Sequence, residues 1–204
     1  MALLCIVAGL AAFSGSASAR TRVIKGTGTI SCTLSTTFTF NPPLTPGIGT
    51  LVGKGISEVI TVAPAEIGGC TGTTAPVPVS GLATKAIVIK MRPFVLNRLD
   101  HAGGCFFFPT LLFALKHAVL DWTLPSGLMS PTSAKLNASA IGADGAGNLG
   151  YSITGTARGS FAGPVAIGAY FDPASSLAIQ NCEDNAGSVA SATVDPTQST
   201  ITIG

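Results

Sequence analysis

Apolar and polar residues alternate with period two along most of the chain, and that period predicts its elements. In "ISCTLSTTFTF", Ile30, Cys32, Leu34, Phe38 and Phe40 fall on one side, with Ser31, Thr33, Ser35, Thr37 and Thr39 on the other, as in a half-buried strand. The same alternation predicts strands at "SEVITVA", "TKAIVIKM", "AKLNASAI", "LGYSITGTA", "VAIGAYFD" and "STITIG". Turn chemistry separates them. In "NPPLTPGIG", Pro42, Pro43 and Pro46 withhold ladder donors, while Gly47 and Gly49 accept positive φ. Regularly spaced strands with such punctuation predict an all-β fold, an antiparallel β-sandwich of immunoglobulin-like or related Greek-key type.

One segment carries two periods. In "PTLLFALKHAVLDWTL", Leu111, Leu115, Ala118 and Trp122 recur at helical spacing, yet Ala118, Leu120, Trp122 and Leu124 also alternate with His117, Val119, Asp121 and Thr123. A strand over Ala118 to Leu124 is the preferred assignment, because its neighbours are strands and Pro125 with Gly127 closes it; one short helix near 110–120 is the alternative. Just upstream, "GGCFFFPTLLFAL" is apolar over only about half a bilayer span and is interrupted by Pro109, so it is expected to cover the core.

A third pattern invites a cofactor. Gly145, Gly147 and Gly150 in "GADGAGNLG" have the GxGxxG spacing, and Asp172 stands where a ribose-binding acid would. A dinucleotide loop needs a helix after its last glycine, because the helix N-terminus meets the pyrophosphate. After Gly150 the chain reads "YSITGTARGSFAGP", with Gly155, Gly159, Gly163 and Pro164, and with Tyr151, Ile153 and Ala157 alternating against Ser152, Thr154 and Thr156. The motif is therefore read as a hairpin turn in which Asp144 and the glycines supply the left-handed conformations, and no cofactor is implied. Neither the calcium repeat GGxGxD nor the nucleophile elbow GxSxG occurs.

Composition places the chain. Residues 1–19, "MALLCIVAGLAAFSGSASA", read as a signal peptide, with an apolar run followed by an A-x-A cleavage pattern, although no Lys or Arg precedes the run. Residues 20–204 are then one secreted domain with no membrane span after cleavage. Its 11 Lys and Arg against 9 Asp and Glu imply no acidic partner, and charged residues make up 10% of the chain against roughly 25% in ordinary domains. Four cysteines follow the leader: Cys32, Cys70, Cys105 and Cys182. An even count in an exported chain predicts two disulfides, and no CxxC or Cys/His spacing suggests a metal. Of the three connectivities, Cys32 with Cys70 and Cys105 with Cys182 is preferred as leaving no crossing of loops.

Little remains for catalysis. A Ser-His-Asp site would have to use His101, next to Asp100, or His117, four residues before Asp121. Adjacent strand residues face opposite ways, and two ligands are too few for a metal site. The carboxylates Asp172, Glu183, Asp184 and Asp195 stand at the turn signals "FDPA", "CEDNAG" and "VDPT", where capping is expected; a glycosidase pair has no further support. Lys and Arg are scattered without a basic aromatic stripe, which argues against nucleic acid.

The strand-borne cysteine and Pro/Gly turn in "ISCTLSTTFTFNPPLTPG", the later "GGCTGT", the single Trp in "LDWTLPSG", "GSFAG" and the final "STITIG" together resemble the small secreted proteins of unknown function common in actinobacteria. That resemblance implies an exported β-sandwich and brings no catalytic residues; the Phe-rich, basic segment Lys90 to Phe113 departs from it. The expectation is a non-enzymatic, secreted or envelope-associated binding or structural module for an extracellular or cell-wall ligand. Two alternatives stand beside it: a secreted hydrolase using His101 or His117, and an inhibitor presenting the loop around Cys105.

Overall fold

In the computed structural model, which describes residues 23–54, 56–73, 76–78, 80–83, 85–91, 94–105, 116–125 and 127–204, the alternating segments form strands. In chain order these are β1 (Val23–Ile24), β2 (Ile30–Ser35), β3 (Thr37–Leu44), β4 (Gly49–Val52), β5 (Glu58–Val62), β6 (Glu66–Gly72), β7 (Ser80–Ala83), β8 (Ile87–Met91), β9 (Phe94–Leu96) and β10 (Leu99–Gly103). Then come β11 (Lys116–Thr123), β12 (Leu128–Met129), β13 (Thr132–Ala143), β14 (Leu149–Gly159), β15 (Gly163–Tyr170), the helix α1 (Pro173–Glu183), β16 (Val189–Thr193) and β17 (Thr200–Ile203). The leader expected over 1–19 lies outside the described residues. So does 110–115, the first part of the alternative helix; from Lys116 onward the segment is strand, with Leu120 and Trp122 buried and His117, Val119 and Asp121 exposed.

The fold is antiparallel β, but its main sheet does not open into the two facing layers expected of a sandwich. β2, β6, β7, β11, β13, β14, β15 and β17 pair antiparallel in succession, and β17 pairs with β2, so eight strands close into a barrel. Ring order follows chain order, the up-and-down arrangement. Alternation marks an inner face in either architecture. Closure depends on first and last strands meeting, and here Ile30 pairs with Ile203 and Cys32 with Ile201.

The long alternating stretch at the start is two strands in two sheets. It breaks at Thr36, whose hydroxyl donates to the Ala63 carbonyl at 2.8 Å and whose carbonyl accepts from the Val194 amide at 2.8 Å. Beyond this break β16, β3, β5 and β8 form a second antiparallel sheet whose order repeats that of β17, β2, β6 and β7 below it. It is an upper tier over four strands of the barrel. β3 also runs through the prolines expected to end it: β5 pairing stops at Asn41 and β16 pairing resumes at Leu44, so Pro42 and Pro43 sit where no donor is needed. A third sheet, β4–β10–β9, stands alongside.

The β13–β14 hairpin holds Gly145 and Gly147 in its turn, while Gly150 lies in β14, paired with Gly142 and Tyr170. Asp144 accepts from the amides of Ala146 and Asn148, each at 2.9 Å; of the residues expected to be left-handed, Gly147 is so, with φ +87°, whereas Asp144, Gly145 and Gly150 are not, because the side-chain bonds of Asp144 close the turn instead. These bonds and one from the Asn148 side chain hold the Asp144 carboxyl below its usual range, the Asn148 side chain contributing most.

The alternation does not predict β6 and β7 of the barrel, β16 of the tier, the β4–β10–β9 sheet, the short β1 and β12, or the helix α1. "FDPA" has the signature of a turn, but Asp172 caps a helix, accepting the Ser175 amide at 2.6 Å, and Pro173 occupies its first turn, where no N–H is required. Only Ser176, Ile179 and Cys182 of this polar helix are buried, which leaves a weak period to read. The disulfides Cys32–Cys70 and Cys105–Cys182 join as expected. The first ties neighbouring barrel strands and the second ties α1 to the end of β10. Closing loops of 38 and 77 residues stabilises the fold by about 4 kcal/mol each in the chain-entropy model.

Candidate functional site

The two ends of the barrel are filled by large rings. At the lower end, where β2 begins, Trp122 meets Phe161 edge to face with centroids 5.1 Å apart. A Cβ on Gly81 would lie 2.9 Å from the Trp122 ring, so glycine is what lets the indole lie flat on β7. The buried Thr132 hydroxyl accepts both the Trp122 indole N–H, at 2.9 Å, and the Phe161 amide, at 3.2 Å. At the upper end Phe38 from the tier packs with Tyr151 and Phe171, centroids 5.3 to 6.2 Å apart.

Between these ends the interior is not filled. An apolar cavity of about 80 Å³ lies between Leu120, Leu136, Ile153, Ile167 and Ile201 of the barrel and Phe38, Val62 and Ile87 of the tier. Five alanines, Ala65, Ala83, Ala118, Ala134 and Ala169, complete its wall. Eight strands enclose just enough space for side chains to fill or for one small ligand; inward alanines in place of Leu or Ile favour the second outcome. Among the described residues Thr36 is the one wall residue with a polar side chain, and its hydroxyl is committed to Ala63. Such a space gives water no partners and suits hydrocarbon. Ala65, Ile87, Ala118 and Ile167 remain partly exposed within the wall.

Above the cavity are two acids, Glu58, which the sequence pattern does not single out, and Glu183, for which it predicts only a turn or capping role. Glu58, at the start of β5, is buried and accepts the Gly103 amide at 3.2 Å. Burial pushes its carboxyl above the ordinary value of 4.5, and the Gly103 bond partly offsets this. Glu183, at the end of α1, is also raised, first by burial and then by Asp184, and its Oε1 is buried without a hydrogen-bond partner among the described residues. Both charges act on the buried Tyr151 phenol, which desolvation already pushes well above its usual value. Charge patterning could not have found this group, since its members come from β5, β14 and α1.

The residues considered for catalysis are dispersed. His101 lies on β10 with Nδ1 3.5 Å from the Gly49 carbonyl, and strand alternation turns Asp100 to the other face. His117 is exposed on the barrel's outer wall, with Lys135 directly opposite on β13 and Ser133, Thr156 and Arg158 around it. Asp121 shares its face but stands about 13 Å along the strand, too far to orient the imidazole. Asp172 caps α1 and Asp195 accepts the Thr197 amide at 2.8 Å, so these two carboxylates serve local structure, while Asp184 ends α1 through its backbone N–H. Cys105 is fully buried in its disulfide, and the loop beyond it lies outside the described residues. No protein-family model, no curated protein and no solved structure matches the chain.

Proposed function

We propose that the chain is an exported, non-catalytic binding module whose barrel takes the end of a slender apolar molecule, an acyl chain or similar hydrocarbon, into its interior. One observation carries this reading: a cavity of about 80 Å³ between two packed aromatic ends, walled by apolar side chains with alanines from five separate segments. The volume is below that of a drug-sized pocket, so the occupant is narrow, and selection would act on width rather than on polar groups. Export is supported by the two disulfides, which persist in oxidising compartments, and it accords with the leader and with the resemblance to small secreted actinobacterial proteins.

The test is displacement of a fluorescent naphthylamine probe by saturated fatty acids of graded length, on the parent and on Ala134→Leu. The parent should bind and release the probe as acids are added, and the variant should bind about ten-fold or more weakly. Filling the void should also leave the variant as stable as the parent or more so, because an unfilled cavity forfeits on the order of 2 kcal/mol at this size. Equal probe binding by both proteins, or marked destabilisation of the variant, would refute the reading.

A further inference from the structure

The surface of this domain is mostly Ser, Thr and Gly, yet one edge is aliphatic. Of nine large apolar side chains exposed among the described residues, four gather on the β4–β10–β9 sheet and its loops: Leu51 (62% exposed), Ile56 (53%), Leu96 (43%) and Leu99 (51%). Register explains the grouping. Leu51 pairs with His101, Leu96 pairs with Leu99, and Leu99 and His101 lie two apart on β10, so the three leucines share a face. Burial from water is the ordinary fate of such a cluster, and none of the described residues covers it here.

Two cations stand at its rim. Asp100 pairs with Val52 at the end of the β4–β10 ladder, and the chain turns directly afterwards, the Ile56 amide donating to the Gly53 carbonyl at 3.0 Å, so Arg98 in the β9–β10 turn and Lys54 in the turn after β4 leave the same end of the sheet. Both residues are exposed, and two like charges in adjacent loops repel unless an anion lies between them. The turn itself is built at a cost. Asn97 and Arg98 have φ of 51° and 67°, and a two-residue turn of this kind favours glycine at the second position. An arginine there puts a fixed cation at the tip in spite of its backbone preference. Asp100, the acid nearest along the chain, faces the opposite side of the sheet.

Aliphatic tips with basic rims match one chemistry: an anionic lipid surface, in which leucines enter the acyl boundary and cations meet phosphate. We infer that this edge, Leu51, Ile56, Leu96 and Leu99 with Lys54 and Arg98, docks the protein peripherally on an anionic phospholipid bilayer. No helix among the described residues is long and apolar enough to cross a membrane. The site is separate from the barrel cavity and does not depend on it.

Vesicle flotation tests this, with phosphatidylcholine vesicles and with vesicles containing phosphatidylglycerol, on the disulfide-bonded domain without its leader. The parent should float about ten-fold or more with the anionic vesicles than with the neutral ones, and added salt should reduce the difference. Leu51→Ser with Leu99→Ser should lose binding to both, whereas Lys54→Gln with Arg98→Gln should lose the anionic preference. Circular dichroism and melting of each variant check folding; both pairs are exposed and should melt like the parent, and if the serine pair does not, Leu96→Ser takes its place. A parent that does not float, or serine variants that float like it, would overturn the inference. So would a parent dimer that the serine pair dissociates, since the edge would then cover itself with a second copy.

Discussion

The lower end of the barrel and the space above it are built from the same alternating strands, yet they are packed by opposite rules. Below, Trp122 and Phe161 fill the cross-section, glycine at position 81 clears room for the indole, and the Thr132 hydroxyl satisfies two buried donors. Above, alanines from five segments leave a void, and the next layer up holds two acids and a phenol whose charged forms are disfavoured by burial. Looseness is therefore local. A poorly specified core would be loose throughout, whereas here a finished plug at one end lies beside an unfilled space at the other. That contrast is what makes the space a candidate for occupancy.

The contrast breaks most severely at the plug. Trp122→Ala should destabilise the domain by about 3 to 5 kcal/mol, read by chemical denaturation with the disulfides intact, because the lower end has no slack with which to collapse. A loss below about 1 kcal/mol would mean that the two ends do not differ in packing. Thr132→Val is the finer version of the same test. It keeps the shape of the plug but strands the Trp122 N–H and the Phe161 amide, and should cost about 1 to 3 kcal/mol.

The smallest effect belongs to the upper end and is read as a pH dependence. A carboxyl raised above its ordinary value holds its proton more tightly in the folded state than in the unfolded chain. The stability associated with Glu58 is therefore fully present below about pH 4.5 and is lost as pH rises through the elevated folded value. Glu183 adds to the same trend in the same direction. Glu58→Gln keeps an acceptor for the Gly103 amide and removes the charge, so its stability relative to the parent should climb as pH goes from 4.5 towards 7. A variant that instead falls behind the parent over that interval would show that the charged carboxylate stabilises the upper end.

Pattern in the sequence reached as far as single strands and nearest turns. Tyr151, Ile153 and Ala157 face inward with Ser152, Thr154 and Thr156 outward as their alternation predicts, because a pleated strand fixes facing locally. The turn around Asp144 was legible for the same reason: its bonds span no more than four residues. Both cysteine pairings also follow the expected order. α1 escaped because an Asp-Pro start reads equally as a turn, and its buried stripe is only Ser176, Ile179 and Cys182.

Everything that depends on meeting at a distance was decided by the tertiary structure. Whether the strands form facing layers or a ring turns on the pairing of β2 with β17, some 170 residues apart in the case of Ser31 and Thr202, and no local period encodes it. The break at Thr36, which sends one alternating stretch into two sheets, shows in the sequence only as a polar residue at an inward position. Alternation likewise marks Ala118, Ala134 and Ala169 as inward, but only closure sets them around one space. The sequence by itself determined the regularly alternating strands, their exposed Ser/Thr faces and the disulfide-ready cysteines, since each rests on neighbouring residues; the Gly-rich and short strands such as β6, β7 and β4, the barrel, its cavity and the aliphatic edge exist only once distant strands have paired.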